Sequence, residues 1–170
     1  MGKTDEGNTM NGFEWMKKVM AHPVLGLLLR IYIGVIFVAA SMYKINYPGE
    51  FAETIASYQI VPFWGVHLIA LILPWTELIC GLMLILGLRT RAAAVLAGSM
   101  LVVFSIAIVA TLARGIPIGC GCFTSVDDPL SWNTLLRDLL WLAMTVQVFL
   151  FPSALQLEDR LLLSLKEVEG

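Results

Sequence analysis

Charged residues are scarce in this chain of 170 residues, where Asp, Glu, Lys and Arg together make up 14%. Soluble domains contain about 25%. The net charge is −2, and no basic cluster lies away from the flanks of the apolar runs, so nothing indicates nucleic-acid binding. Hydrophobic residues account for 58% of the chain. They fall into runs long enough to cross a bilayer, which predicts one integral membrane protein rather than a soluble domain.

Cysteine is also rare, and three cysteines are too few for a scaffold held together by disulfides. Two of them stand close together in Cys120-Gly121-Cys122, in a short polar stretch between two apolar runs. Cα atoms two residues apart are separated by at most ~7 Å, which overlaps disulfide geometry. We therefore predict a redox-active dithiol. The alternatives are an inert bridge or packing pair, and a site for a soft metal ion that accepts two thiolates.

The apolar runs predict an all-α integral membrane protein, a bundle of four transmembrane helices with short interfacial helices. The spans are expected at about 24–43, 63–88, 92–112 and 133–151. Residues 1–22 are interpreted as a polar tail with an interfacial helix near Phe13–Met20, residues 23–152 as the membrane domain, and residues 153–170 as a C-terminal tail. A further short helix is predicted from Pro48, with Phe51, Ile55 and Tyr58 on one face. It either roofs the bundle or merely connects two spans.

The distribution of Lys and Arg predicts the orientation in the membrane. Most of them, Arg89 and Arg91 included, lie in the two tails and in the turn between the second and third spans. Only Lys44 and Arg114 flank the opposite side. The positive-inside rule then places both termini in the cytoplasm of a multi-pass protein of the bacterial cytoplasmic (inner) membrane. The Cys120–Cys122 stretch is expected on the outer, oxidising side, where disulfide chemistry is favoured.

Four charged residues lie inside the predicted spans: Arg30, Glu77, Arg137 and Asp138. An unpaired charge facing lipid costs several kcal/mol, so each should face the protein interior or reach an interface. We expect Arg30 to pair with Glu77 across two helices, a contact that either fixes helix register or forms a proton or substrate site. Asp138 is expected to meet another helix through Lys44 or Tyr43.

Two arginines and the third cysteine complete the candidate site. Arg114 precedes the Cys120–Cys122 stretch and Arg137 follows it, so either is placed to stabilise a thiolate. Cys80 lies three residues after Glu77 and shares a helix face with it. We interpret Cys80 as a small packing residue, with a buried sulfur relay or a second metal ligand as the alternatives. No metal site is assigned.

Several motifs follow one another in a recognisable order. They are Arg30 with Gly34 and Lys44 in the first span, Pro74-Trp75-Thr76-Glu77 with Gly81 and the Arg89-Thr90-Arg91 turn, then Cys120-Gly121-Cys122-Phe123, and last Arg137-Asp138. Taken together, from about residue 30 to residue 150, they resemble the DoxX-like superfamily and most closely its methylamine-utilisation MauE branch. The Cys-Gly-Cys-Phe stretch followed by Arg-Asp is the part that indicates this branch.

The resemblance implies a four-helix inner-membrane protein that works with a thioredoxin-like or rhodanese-like partner in maturing disulfide-bearing proteins. The resulting hypothesis is a membrane thiol–disulfide redox or sulfur-relay protein. The alternatives are a transporter of a soft metal ion or a reduced sulfur species, and a non-catalytic membrane anchor. Whether the chain is an enzyme, a membrane thiol–disulfide oxidoreductase, is left open. The electron acceptor is unidentified, with a quinone as one candidate by fold-level analogy. Besides the protein partner, the chain is expected to contact the lipid bilayer, and the formation of a homo-oligomer is left as an option.

Overall fold

The computed structural model describes residues 22–115 and 131–151, in which every regular element is a helix. The helices are α1 (Pro23–Asn46), α2 (Pro48–Ser57), α3 (Phe63–Leu86), α4 (Thr90–Arg114) and α5 (Trp132–Leu150). The four long helices lie within three residues of the predicted spans. The expected helix near Phe13–Met20, both tails, and the Cys120–Cys122 pair lie outside the described residues.

Local sequence explains where these helices begin and end. Pro23 and Pro48 occupy the first turns of α1 and α2, where the missing N–H of proline costs nothing because it would have no helical partner. Gly87 and Gly115 end α3 and α4 with φ of 74° and 66°. A residue without a Cβ adopts this left-handed conformation at low cost, so glycine stops both helices cleanly.

Three of the helices are long and apolar enough to cross a membrane: Val24–Asn46, Phe63–Leu86 and Thr90–Arg114. The expectation of four spanning helices is therefore met for three of them. The difference lies in α5, a helix of 19 residues that includes Arg137, Asp138 and Gln147. These polar residues lower the mean hydropathy of α5, although the helix is long enough to span the membrane.

The long helices pack in chain order around one core. α1 packs along α3 and α4 along α5, while contacts between α3 and α4 and between α1 and α5 close the ring. The contact between α1 and α3 is very close at two glycines, because a Cβ added to Gly81 would lie 2.8 Å from the carbonyl oxygen of Gly34. Small residues allow such an approach between membrane helices. This crossing fixes which residues of α1 and α3 stand at the same level.

The short helix α2 roofs part of the bundle, as one of the two interpretations expected. Its predicted apolar face is buried: Phe51, Ile55 and Tyr58 are 3%, 9% and 6% exposed. Phe51 and Ile55 pack against Val66 and Ala70 in the N-terminal half of α3. The helix is amphipathic, with its buried face on the protein and its acidic residues outward. It covers the end of the bundle that lies nearest to the start of α3.

Candidate functional site

A buried ion pair joins α1 to α3. The Lys44 ammonium nitrogen lies 2.6 and 2.7 Å from the two carboxylate oxygens of Glu77 and donates to both. Lys44 is 3% exposed and Glu77 8%. The same nitrogen lies 5.0 Å from the ring centroid of Phe51 and 5.7 Å from that of Phe104. Aromatic faces attract a cation, so these two rings hold the ammonium from the sides that the carboxylate leaves open.

The predicted pair between Arg30 and Glu77 is wrong, because Glu77 bonds to Lys44 instead. α1 and α3 run antiparallel, and the contact of Gly34 with Gly81 sets Arg30 opposite the end of α3. A Cβ added to Gly87 would lie 3.0 Å from Nη1 of Arg30. Gly87 is ten residues beyond Glu77, about 15 Å along a helix. The Arg30 side chain, 3% exposed, is directed to that end and not to the centre of α3.

Asp138 meets another helix, as expected, but through a different partner. Ser105 of α4 donates a hydrogen bond of 2.5 Å to Oδ2 of Asp138. Lys44 is engaged with Glu77, and Tyr43 donates at 2.7 Å to Glu50 on α2. Asp138 therefore ties α5 to α4, and neither expected partner bonds to it. Its side chain is buried, with the residue 6% exposed.

The two buried acidic groups line one cavity of about 200 Å³ between the four long helices. Lys44, Glu77 and Asp138 supply its charged groups, and Phe104 and Trp141 are among its aromatic walls. The rest of the lining is largely apolar. A cavity with apolar walls and a few convergent polar groups is the usual form of a small-molecule site.

Tyr58, just after α2, connects the roof to the cavity region. Its ring lies edge-on to that of Phe104, with centroids 6.3 Å apart, and Arg114 donates a hydrogen bond of 3.4 Å to its backbone oxygen. Burial, together with the negative charge of Asp138, raises the pKa of Tyr58 to about 12. Its hydroxyl consequently keeps its proton at any physiological pH.

The two arginines that were predicted to support the thiols lie on different helices. Arg137 is exposed, with its guanidinium carbon 5.0 Å from the ring centroid of Trp141, so Arg137 and its neighbour Asp138 point in different directions as expected. Arg114 stands at the C-terminal end of α4, where the chain enters the segment that contains Cys120 and Cys122. Those two residues lie outside the described ranges, and their distances to Arg114 and Arg137 remain predictions.

Cys80 lies in the main core and not at the cavity. It is 1% exposed and packs in a cluster with Ile33, Phe37, Leu84 and Ala97. Neither Cys80 nor Arg30 is among the residues that line the cavity. The surroundings favour the interpretation of Cys80 as a small packing residue, because a free buried cysteine behaves as a small hydrophobic side chain.

Replacing Cys80 by alanine should lower the free energy of unfolding by about 1 kcal/mol, since one buried sulfur is lost and a small gap remains. Denaturation of the purified protein in mixed micelles, followed by circular dichroism, measures this. The redox state of the other cysteines in cells should not change. A shift in their oxidised fraction without a loss of stability would instead identify Cys80 as a relay.

Sequence reasoning missed three residues of this site: Ser105, Phe104 and Trp141. No pattern in the sequence marks them, and the position of Ser105 opposite Asp138 follows only from the packing of α4 on α5. Ser105 is seven residues after Gly98, and Thr145 is seven residues after Asp138. Gly98 faces Thr145 across α4 and α5, because a Cβ added to it would lie 3.6 Å from the Thr145 methyl carbon. Equal spacing on two antiparallel helices brings Ser105 and Asp138 to the same level two turns further along.

Comparison with known proteins identifies relatives of the whole helical region. The family model "Methylamine utilisation protein MauE" matches residues 22–151. A methylamine utilization protein MauE of Paracoccus denitrificans is 30% identical over 135 residues, 78% of this chain and 73% of the relative. The protein of the same name from Methylorubrum extorquens is 34% identical over 139 residues, which cover 80% and 75% of the two chains.

A third such protein, from Methylophilus methylotrophus, is 29% identical over 143 residues, 81% of this chain and 74% of the relative. No solved structure gives a significant match to this chain. The match of the family model extends over all five described helices and over the segment between α4 and α5.

Proposed function

This chain belongs to the MauE family of methylamine utilisation proteins, and from that premise we propose that it is a membrane thiol–disulfide redox or sulfur-relay protein. Its working groups are Cys120 and Cys122. Its partner is a thioredoxin-like or rhodanese-like protein, and its task is the maturation of disulfide-bearing proteins used in methylamine metabolism. The cysteine pair, separated by one glycine in the connection between α4 and α5, supports this proposal most directly.

The location of that connection favours exchange with a soluble partner. Arg114 at the end of α4 contacts Tyr58 beyond α2, and α5 starts again at Trp132. The two thiols therefore belong to a segment that begins and ends at the roofed end of the bundle. Two thiols that are two residues apart form a small, strained ring when oxidised, and a strained disulfide is more easily reduced than a structural one.

The same proposal includes the arrangement in the membrane. α5 acts as the fourth spanning helix, since its buried Asp138 bonds to α4 and its 19 residues suffice to cross the hydrocarbon core. The chain lies in the bacterial inner membrane, with both termini on the cytoplasmic side and the two thiols on the outer side. The burial of Lys44 against Glu77 supports this orientation, because Lys44 lies inside the bundle and not in a flanking loop, and Arg114 is then the basic residue that flanks the roofed end of the first three spans.

The proposed exchange balances as a dithiol–disulfide reaction. When the partner's thiols form their disulfide, they give up two electrons and two protons, and the Cys120–Cys122 disulfide takes them to become two thiols. Attack by one thiolate on a disulfide sulfur gives a mixed disulfide, which the second thiol then resolves. Arg114 and Arg137 stand on the two sides of the segment and favour the thiolate form.

Differential alkylation in spheroplasts tests this function. We expect a membrane-impermeant maleimide to label Cys120 and Cys122 from outside, and a fraction of the pair to be oxidised in a manner that depends on the partner. A Cys120→Ser/Cys122→Ser variant should lose oxidation of the client protein, whereas the matched Cys80→Ser variant should keep it. Both variants replace cysteine by serine, at different places in the chain.

Two results would contradict the proposal. Labelling that requires disruption of the membrane would place the thiols in the cytoplasm, where persistent disulfides are rare. A double serine variant that still co-purifies with its partner and still supports client oxidation would show that the chain is a non-catalytic anchor.

A further inference from the structure

The central cavity has the position and the chemistry of a ligand site within the membrane. It lies between the four long helices at the level of the Lys44–Glu77 pair and of Asp138. Two of its lining residues on α4, Ser99 and Val103, are exposed on the outer surface of the bundle, Val103 to 66%. The cavity therefore opens sideways, towards the surface that faces lipid, and a ligand can enter it from the bilayer.

The charges in the cavity decide which ligands fit. The Lys44 ammonium already occupies the space between the rings of Phe51 and Phe104, so these rings offer no free face to a second cation. The remaining acidic group, Asp138, is already engaged by the Ser105 hydroxyl. An anion would meet the carboxylates of Glu77 and Asp138. A neutral, largely apolar molecule meets neither obstacle, because its ring or chain contacts the apolar walls. The internally paired charges and the apolar walls therefore favour an uncharged ligand.

The hydrogen-bonding groups narrow this class further. An ammonium has three N–H donors, and in the part of the chain that the structure describes Lys44 bonds only to the two oxygens of Glu77. One donor is therefore left for a carbonyl oxygen of a ligand. Asp138 accepts from Ser105 through Oδ2, so its other oxygen is left to accept from a hydroxyl. A molecule that changes between carbonyl and hydroxyl forms matches both groups.

We propose that this cavity binds the head group of a membrane-soluble para-quinone, with one carbonyl oxygen hydrogen-bonded to Lys44, the ring against Phe104 and Trp141, and the apolar tail leaving past Val103. The binding stands on the cavity alone, whereas the redox role rests on the function proposed above. In that role the Cys120 and Cys122 thiols form an S–S bond and release two electrons and two protons. The quinone takes up both and becomes the hydroquinone.

Binding of decylubiquinone to the purified full chain in nanodiscs tests the site. The Lys44→Met/Glu77→Leu variant, which removes the donor without leaving an unpaired charge, should bind about tenfold more weakly, the effect of one lost hydrogen bond. Val103→Trp, which fills the opening, should bind at least as weakly. The matched control is Ile106→Trp on the same helix, because Ile106 is 63% exposed and does not line the cavity. It should bind as the wild type does.

A second probe and a third variant separate the outcomes. Decylbenzene has the same tail without the carbonyl oxygens, and equal competition by it would overturn the proposal in favour of an unspecific lipid-chain site. Equal affinity of Val103→Trp and the wild type would also overturn it. The Cys120→Ser/Cys122→Ser variant should bind quinone normally. If quinone binds but the thiols do not cycle between oxidised and reduced states, the binding site is supported and the proposed redox function is rejected. If the thiols cycle but quinone does not bind, the redox function is supported and the binding site is rejected.

Discussion

Replacement of Lys44 by methionine should destabilise the helix bundle by about 3–5 kcal/mol, the cost of leaving one partner of a buried ion pair alone. Methionine keeps the length of the side chain between Phe51 and Phe104, so packing changes little. The Glu77 carboxylate, 8% exposed, then has no counter-charge in a low-dielectric interior. Titration with SDS in mixed micelles, followed by the loss of helical circular dichroism, measures the change.

Replacing both residues of the ion pair tests whether the unpaired Glu77 carboxylate causes this loss of stability. A Lys44→Met/Glu77→Leu variant should recover most of the lost stability, since replacing a buried pair by apolar residues of similar volume is often neutral. Glu53→Gln, on the exposed face of α2, serves as the control for removing a carboxylate and should change little. A double variant as unstable as the single one would show that the pair is not the source of the effect.

The long helices could be predicted because their signals are local. Apolar runs of spanning length, prolines at the first turns and glycines at the ends each act within a few residues. The face of α2 could be predicted for the same reason, since Phe51, Ile55 and Tyr58 recur at helical spacing and all three are buried. α5 shows the limit of such signals. Its buried Asp138 is explained by the hydrogen bond from Ser105 of α4, and apolarity alone therefore gives an incomplete account of the helix.

Pairing between helices could not be predicted, because it depends on register and on the direction of long side chains. Arg30 and Glu77 looked close when each was counted from the end of its own helix. The crossing at Gly34 and Gly81 shifts α1 along α3, so Lys44 reaches Glu77 from the other side. A lysine near the end of a helix extends its side chain back towards the N-terminus, which here is into the bundle.

In the candidate site too, some residues could be predicted from the sequence and others could not. Cys120 and Cys122 attract attention from sequence because the two thiols are neighbours in the chain. The cavity is formed by side chains from four helices, and Ser105, Phe104 and Trp141 have no local feature that marks them. The charges Glu77 and Asp138 could be selected, since a membrane span seldom tolerates them. Their common cavity follows only from the packing.

The glycine contact that sets this register leads to the second large effect. Gly81→Ala should cost about 1–3 kcal/mol, the usual range for overpacking, because the new methyl group would lie 2.8 Å from the backbone oxygen of Gly34 and 3.0 Å from the backbone nitrogen of Val38. Backbone atoms cannot rotate away as a side chain can. α1 and α3 must therefore move apart, and the same SDS titration should show it.

Gly98→Ala is the matched control, since it adds the same methyl group at an interface between two long helices. There the nearest atom is a Thr145 methyl carbon at 3.6 Å, an ordinary contact. We expect no loss of stability, and a small gain from the better helix propensity of alanine. The Lys44–Glu77 pair depends on the same register of α1 along α3. In a chain that already carries Gly81→Ala, Lys44→Met should therefore lower the free energy of unfolding by less than it does in the wild type. Strict additivity of the two changes would mean that the glycine crossing does not position the ion pair.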